Sequence, residues 1–440
     1  MNRIVLFIYK LLFIPLLLIL LPGYLLRMAR RGGYRAKAAQ RFGRFDHDAL
    51  VRIGIGRIWI HAASVGEVGI ALKFISEYQL QNPEARFLLS VTTSTGLAIA
   101  EQQSSDALEV IANPIDFPLL TGKLVKRLHP SALLFVEADL WPNRVEAACN
   151  LGIPVILINA RLSARSARRF RRARAFTAPF FNSLSMIQLT EEEDRERWVA
   201  LGVRPELLHL TGNIKYDTSV PASSNPLILP EELGWSREDP LFLAASTHEG
   251  EELEIARAYQ LARQRTPSLR LVIAPRHVER RSAIVESLGT LGLSIMLRSE
   301  GTASPDGLLL LDTTGELSRW YPVATIVFVG KSLPCSVNRG GQNMIEPLQG
   351  GTSVLIGPHT GNFEPLATRL CNAGAAIRVS DAAGIAASLE QLLSNPSQRK
   401  SMISSATAIL ATHQGASQRS SELVEKLLKI AEDSEVKSRD

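Results

Sequence analysis

Four stretches of this 440-residue chain place reactive side chains beside glycines or small residues that would expose them. The first is HAASVGEVGIA, His61 to Ala71, directly after the apolar run RIWI. It reads as a buried strand turning at Gly66 into a helix, with one carboxylate, Glu67, at the turn. Ser64 lies three residues earlier, the spacing of a capping box, and a Glu in a first helical turn is favourable by about 0.3–1 kcal/mol. A carboxylate at a strand end is also placed to take a proton from a substrate hydroxyl. Both roles put Glu67 at the same turn, so spacing does not separate them.

The other three stretches lie in the second half. NRGGQNMIEPLQGG, Asn338 to Gly351, follows the strand-like TIVFVG. Gly340 and Gly341 would let the backbone approach a ligand closely. QNMIEPLQ is expected to open a helix whose free N–H groups point back at the loop and favour phosphate. Glu346, about one and a half turns in, would reach ribose hydroxyls. The pattern is neither GxGxxG nor a P-loop, which weighs against dinucleotide and NTP-hydrolysis chemistry. IAPRHVER puts Arg276 and His277 just past a strand, where a guanidinium suits bidentate anion recognition. LDTTGELSRWY puts Thr314, Gly315 and Glu316 at another strand-to-helix turn. Each alone is equally explained by capping; three on one rim favour binding.

In the first half, RLSARSARRFRRAR runs from Arg161 to Arg174. Arg165, Arg168, Arg169 and Arg172 share one helical face. Phe170 is its only aromatic, so base stacking has little support and a nucleic-acid partner is not expected. A patch for anionic lipid headgroups fits better. The eight histidines show no HExxH spacing, and neither a metal nor a cofactor is expected.

Positioning such residues requires parallel strands. RIWIHAA, RFLLSVTT, LEVIAN, ALLFVEA, PVILINA, MIQLT and LHLTGN are short, almost continuous apolar runs, as in a sheet covered on both faces. Segments such as Val68 to Gln81 and Arg144 to Leu151 read as crossover helices. A second series, PLFLAAST, LRLVIAPR, LSIMLRS, GLLLLDT, TIVFVGK, SVLIGP and AAIRVS, follows the Pro- and Ser-rich TSVPASSNPLILPEELGW. The length suits two domains. We expect an N-terminal acceptor-binding domain over 45–217, a linker over 218–237 and a nucleotide-binding domain over 238–440, both doubly wound α/β, with a C-terminal helix packing back on the first. A cleft between the carboxyl strand ends would suit a bulky, bipartite substrate. Cys149, Cys335 and Cys371 lack CxxC spacing, so neither a zinc cluster nor a disulfide framework is indicated.

Residues 1–44 differ from the rest. Ile4 to Leu26 is almost wholly apolar and reaches the roughly 20 residues that span a bilayer. No A-x-A-like cleavage site follows. Instead come Arg27, Arg30, Arg31, Arg35, Lys37, Arg41 and Arg44, a collar expected to stay in the cytoplasm and to attract anionic inner-membrane lipids. A retained anchor is favoured over a cleaved signal peptide.

Taken in order, SVGEV at Ser64, DLWPN at Asp139, NARLS at Asn159, GNIKYD at Gly212, PRH at Pro275, GEL at Gly315, FVG at Phe328, GGQNMIEP at Gly340 and GPHTGNF at Gly357 resemble the Kdo transferases. That family moves 3-deoxy-D-manno-octulosonic acid (Kdo) from CMP-Kdo to a lipid A precursor. The resemblance implies a GT-B fold, inversion at the sugar, no metal and work at the cytoplasmic face of the inner membrane. It makes Glu67 the general base, with Ser64, Gly66, Asp139, Arg161 and Arg165 as the candidate substrate-binding residues. Nucleotide binding falls to Lys215, Arg276, His277, Thr314, Gly315, Glu316, Gly340, Gly341, Asn343 and Glu346. The chain departs from the family in having Asp139 for Glu, Gln342 for His, FVGKS for FVGGS, and an expansion at PCSVNR. The alternative is another GT-B enzyme, a lipid-directed glycosyltransferase or sugar-nucleotide epimerase using a UDP-sugar.

Overall fold

A computed structural model describes residue 9 and residues 37–138, 140–162, 164–217, 228, 230–301, 308–361 and 363–437. Within it the contacts divide the chain into two units. Met1–Asp217 joins His413–Asp440, and Thr218–Thr412 forms the other.

The first unit is built on a parallel sheet of β1 (Ile58–Ala62), β2 (Phe87–Val91), β3 (Leu108–Ala112), β4 (Ala132–Val136), β5 (Val155–Ala160), β6 (Met186–Leu189) and β7 (Leu208–Leu210). Their order is β3-β2-β1-β4-β5-β6-β7. β1, β2, β4 and β5 are buried along their whole length, which is why they read as unbroken apolar runs. Two apolar layers cover the faces. One includes Val68, Phe74 and Tyr78 from the helix Val65–Gln81, together with Val424 and Leu428 from the last helix, Ala416–Lys437. The other centres on Trp59, Phe135, Phe181 and Trp198.

The return of the chain is fixed by polar contacts as well. Asp217 accepts from the amides of Gly415 (2.9 Å) and Ser417 (2.6 Å), capping the last helix. Buried Gln188 donates to the Ser420 carbonyl at 3.0 Å.

The second unit has β8 (Leu241–Thr247), β9 (Arg270–Pro275), β10 (Ile295–Leu297), β11 (Leu308–Leu310), β12 (Ile326–Val329), β13 (Ser353–Ile356) and β14 (Ala376–Arg378). They are all parallel, in the order β10-β11-β9-β8-β12-β13-β14. Tyr259, Phe242 and Phe328 lie in its core. In each sheet the chain winds outward one way from its first strand and then returns to the other side. The reversal falls between β1 and β4 in one sheet and between β8 and β12 in the other, the place where open α/β sheets bind ligands.

Among the described residues no helix is long and apolar enough to cross a membrane. Apart from Tyr9, the Ile4 to Leu26 run lies outside them. The basic collar needs correction at two positions. Arg41 is buried and donates to the Thr92 carbonyl at 2.9 Å. Lys37 pairs with Glu101 at 2.6 Å and donates to the Val110 carbonyl. Lys37 and Arg41 thus donate to backbone carbonyls in or just past β3 and β2.

Candidate functional site

In the first unit the helix after β1 starts at Val65, not after a turn at Gly66, because Ser64 caps it. Ser64 Oγ accepts from the Glu67 amide at 3.3 Å and donates to Glu67 Oε1 at 3.0 Å. Glu67 Oε2 accepts from the Ala63 amide at 2.7 Å. The capping geometry is therefore real, with the carboxylate half-buried. A carboxylate offers about four acceptor directions, more than these two bonds use. Gly66 lies exposed in the first turn.

The DLWPN turn is held by a buried chain of donors. Trp141 Nε1 donates to His61 Nε2 at 3.0 Å. The ring proton therefore sits on Nδ1, facing Ser90 Oγ at 3.1 Å, which also accepts from Trp59 Nε1 at 2.9 Å. Asp116, buried, accepts from the amides of Asn143 and Arg144 at 2.9 and 3.0 Å, anchoring the helix Pro142–Asn150. Burial raises the Asp116 carboxyl above its usual range, while Arg144 and these amides oppose the rise. His61 is thus a strut, a role its place in the opening motif did not disclose.

Asp139 and the Arg165 side chain lie outside the described residues. Two residues before Asp139, the sequence reading passed over Glu137, which takes the left-handed conformation at φ 60°. Its charge opposes the fall that burial imposes on the Lys215 ammonium, a fall that Arg161 deepens. Lys215, expected among the nucleotide contacts, thus belongs to the first unit, close to Glu137 and Arg161. Beside it, Asn159 (φ 53°) accepts from the Ile214 amide at 2.8 Å, where the β5–β6 register shifts. His413 is buried, with its ring 5.2 Å from that of Tyr216 and Nε2 3.4 Å from Glu191. Arg168, Arg169 and Arg172 are exposed on the helix Ala164–Arg172, while Phe170 packs toward the core.

In the second unit the expected phosphate cradle needs revision. The helix begins at Ile345 and runs only to Gln349. The amides of Gly340 and Gly341 donate to the Lys331 carbonyl at 3.1 and 2.9 Å, and that of Gln342 to the Gly330 carbonyl at 3.1 Å. Asn343 Oδ1 accepts from the Ile345 amide at 3.0 Å, a local turn that delays the helix. The glycines, at φ 136° and 78°, therefore tie a loop to the end of β12 instead of offering free donors. Glu346 consequently lies in the first turn. It is exposed and accepts from Asn343 Nδ2 at 2.8 Å.

Arg276 and His277 are exposed at the end of β9. Thr314 and Gly315 are exposed, Gly315 at φ 86°, while Glu316 pairs with Arg298 at 3.3 Å and accepts from Thr313. Two residues that the sequence reading missed organise this end of the sheet. Glu251, with no exposed surface, accepts four backbone bonds: from His248 (2.8 Å), Lys331 (2.7 Å), Ser332 (2.8 Å) and Leu333 (3.0 Å). His248, also buried, has its Nε2 2.9 Å from the Gln342 amide nitrogen. Among the described residues no His, Cys, Asp and Glu cluster is suited to hold a metal ion.

Residues 36–218 match the family described as 3-Deoxy-D-manno-octulosonic-acid transferase (kdotransferase). The chain is 31% identical over 398 residues to the 3-deoxy-D-manno-octulosonic acid transferase of Haemophilus influenzae, covering 90% of this chain and 92% of that one. Against the Bordetella pertussis protein of the same name it is 33% identical over 412 residues, covering 91% and 94%. Of solved structures, the UDP-GlcNAc 2-epimerase of Neisseria meningitidis bound to UDP-GlcNAc aligns with a TM-score of 0.55 at 15% identity, covering 85% of this chain and 100% of that one. At that identity the likeness speaks for the fold alone. Identity above 30% that extends through both sheets is a different matter, and by it the chain belongs to the 3-deoxy-D-manno-octulosonic acid transferase family.

Proposed function

We propose that the chain transfers Kdo from CMP-Kdo to a lipid A precursor, with inversion, as an inverting GT-B glycosyltransferase at the cytoplasmic face of the inner membrane. The observation that carries this reading is similarity to named Kdo transferases over nine-tenths of the chain. In the reaction an acceptor hydroxyl oxygen bonds to the anomeric carbon while the bond from that carbon to the phosphate oxygen breaks. The electron pair leaves with CMP, and the hydroxyl proton passes to the Glu67 carboxylate. Arg161 and Lys215 offer cations to the acceptor's anionic groups. The second unit holds the nucleotide through Arg276, the Thr314–Glu316 turn and Glu346, and its cations meet the charge that develops on the leaving phosphate. The apolar N-terminal run and the arginine face of the helix Ala164–Arg172 would keep the enzyme at its lipid acceptor.

The test is incubation with CMP-Kdo and a tetra-acylated lipid A precursor, followed by product mass. A product heavier by one or more Kdo units is expected. Turnover of a UDP-sugar in its place would favour the alternative enzyme class.

A further inference from the structure

Lys331 stands where the second sheet reverses, between the carboxyl ends of β8 and β12, and its backbone is left-handed at φ 62°. A non-glycine residue in that region is strained, and glycine avoids the strain. The surrounding structure over-determines the strained conformation. The Lys331 amide donates to buried Glu251 at 2.7 Å, and its carbonyl accepts from Gly340 and Gly341 at 3.1 and 2.9 Å. One residue earlier, a Cβ on Gly330 would collide with the Ser246 carbonyl, so the strand end has no room to shift.

What the clamp presents is an ammonium. No ion pair engages Lys331 or Arg276 among the described residues, whereas neighbouring Arg280 is neutralised by Glu252 at 2.9 Å. Beside them the His248 imidazole is held neutral by burial first and then by its electrostatic neighbours Lys331, His277, Arg280 and Arg276, in that order. An amide nitrogen only donates, so His248 Nε2 accepts from Gln342 and the ring proton sits on Nδ1. Two cations without acid partners at a sheet's reversal point form an anion site, and strain held rigidly at such a place signals use.

We propose that Lys331 is a phosphate-binding residue of the donor site, an added cation that meets the leaving phosphate of the nucleotide sugar, with Glu251 as its positioning residue. This rests on the nucleotide-sugar reading above. As the glycosidic bond breaks, the phosphate changes from a singly charged diester to a more highly charged monoester. An ammonium there is therefore worth more in the transition state than in the ground state.

The test is calorimetry of CMP, UMP, cytidine and uridine on wild type, Lys331→Gly and Lys331→Arg, with a melting curve for each. Lys331→Gly should bind CMP about tenfold or more weakly, a charged hydrogen bond's worth, and cytidine unchanged. It should melt no lower than wild type, because glycine relieves the backbone, and Lys331→Arg should recover most of the affinity. Equal CMP binding by Lys331→Gly and wild type overturns the proposal. So does equal loss of CMP and cytidine, which would mean general damage to the loop. If wild type prefers UMP, the donor reading falls while Lys331 keeps its role, provided Lys331→Gly loses UMP and spares uridine. If wild type binds no nucleotide, both fall.

Discussion

Glu67 and Glu251 occupy matching places. Each lies in the first turn of the helix after the first strand of its sheet, β1 in one unit and β8 in the other. Their surroundings differ. Ser64 caps the helix of Glu67, whose carboxylate stays half-buried and bonds the Ser64 hydroxyl and the Ala63 amide of its own turn. Gly250 precedes Glu251 at φ 94°, and the carboxylate turns inward to bind four amides, three of them in the loop after β12. One position in the fold therefore yields a half-buried carboxylate in one unit and, in the other, a fully buried one that holds a loop. Position selects the candidates, while burial and partners divide the roles.

The sharpest way to break this comparison is to neutralise each acid in turn. Glu67→Gln should lose roughly 10²–10⁴ in turnover while keeping CMP affinity. Its stability should change by less than about 1 kcal/mol, the scale of a charge in a first helical turn. Normal turnover with a lowered melting temperature would reduce Glu67 to its capping role. Glu251→Ala should instead loosen the loop that carries Lys331, weakening CMP, and leave four buried amides unsatisfied at a cost of at least about 3 kcal/mol. Denaturant unfolding measures it, and a loss below about 1 kcal/mol would show that water replaces the carboxylate.

A smaller effect sharpens the nucleotide side. Glu346→Ala should weaken CMP by roughly 10- to 100-fold if the exposed carboxylate holds ribose hydroxyls. 2′-Deoxy-CMP should bind wild type more weakly than CMP and bind Glu346→Ala about equally. Equal losses for both nucleotides on mutation would remove Glu346 from the ribose.

All fourteen strand candidates appear in the structure because a parallel strand buried on both faces writes itself as a local apolar run. Helix starts were less legible. Spacing suggested Val68 and Gln342, whereas Ser64 starts one helix earlier and the Asn343 turn delays the other. Least legible was Glu251. In EGEELEI it reads as an ordinary acidic first turn, and its burial depends on amides 80 to 82 residues further on. The roles of Arg276 and Glu346 were read from residue type and position and again from the resemblance, but the tethered amides of Gly340 and Gly341 could not be read, since donors paired across a loop leave no pattern in sequence.

The finest test compares acid sensitivity. The His248 imidazole is pushed down to about 4 by burial and then by Lys331, His277, Arg280 and Arg276. In the unfolded chain it titrates near 6.5. Between those values the unfolded chain binds a proton that the folded chain refuses. The contribution of neutral His248 is therefore complete above about pH 6.5 and is lost as pH falls toward 4. Carboxylates titrate in part of the same window, so the quantity to measure is a difference: denaturant stability from pH 7.5 to 4 for wild type against His248→Gln, which has no proton to gain. Wild type should lose more on acidification. In Lys331→Gly the strongest of the cationic pushes is gone, so the loss should be smaller and its window should close at higher pH. Parallel curves for wild type and His248→Gln would mean that the imidazole charges as easily folded as unfolded, and that the cations past the ends of β9 and β12 do not press on it.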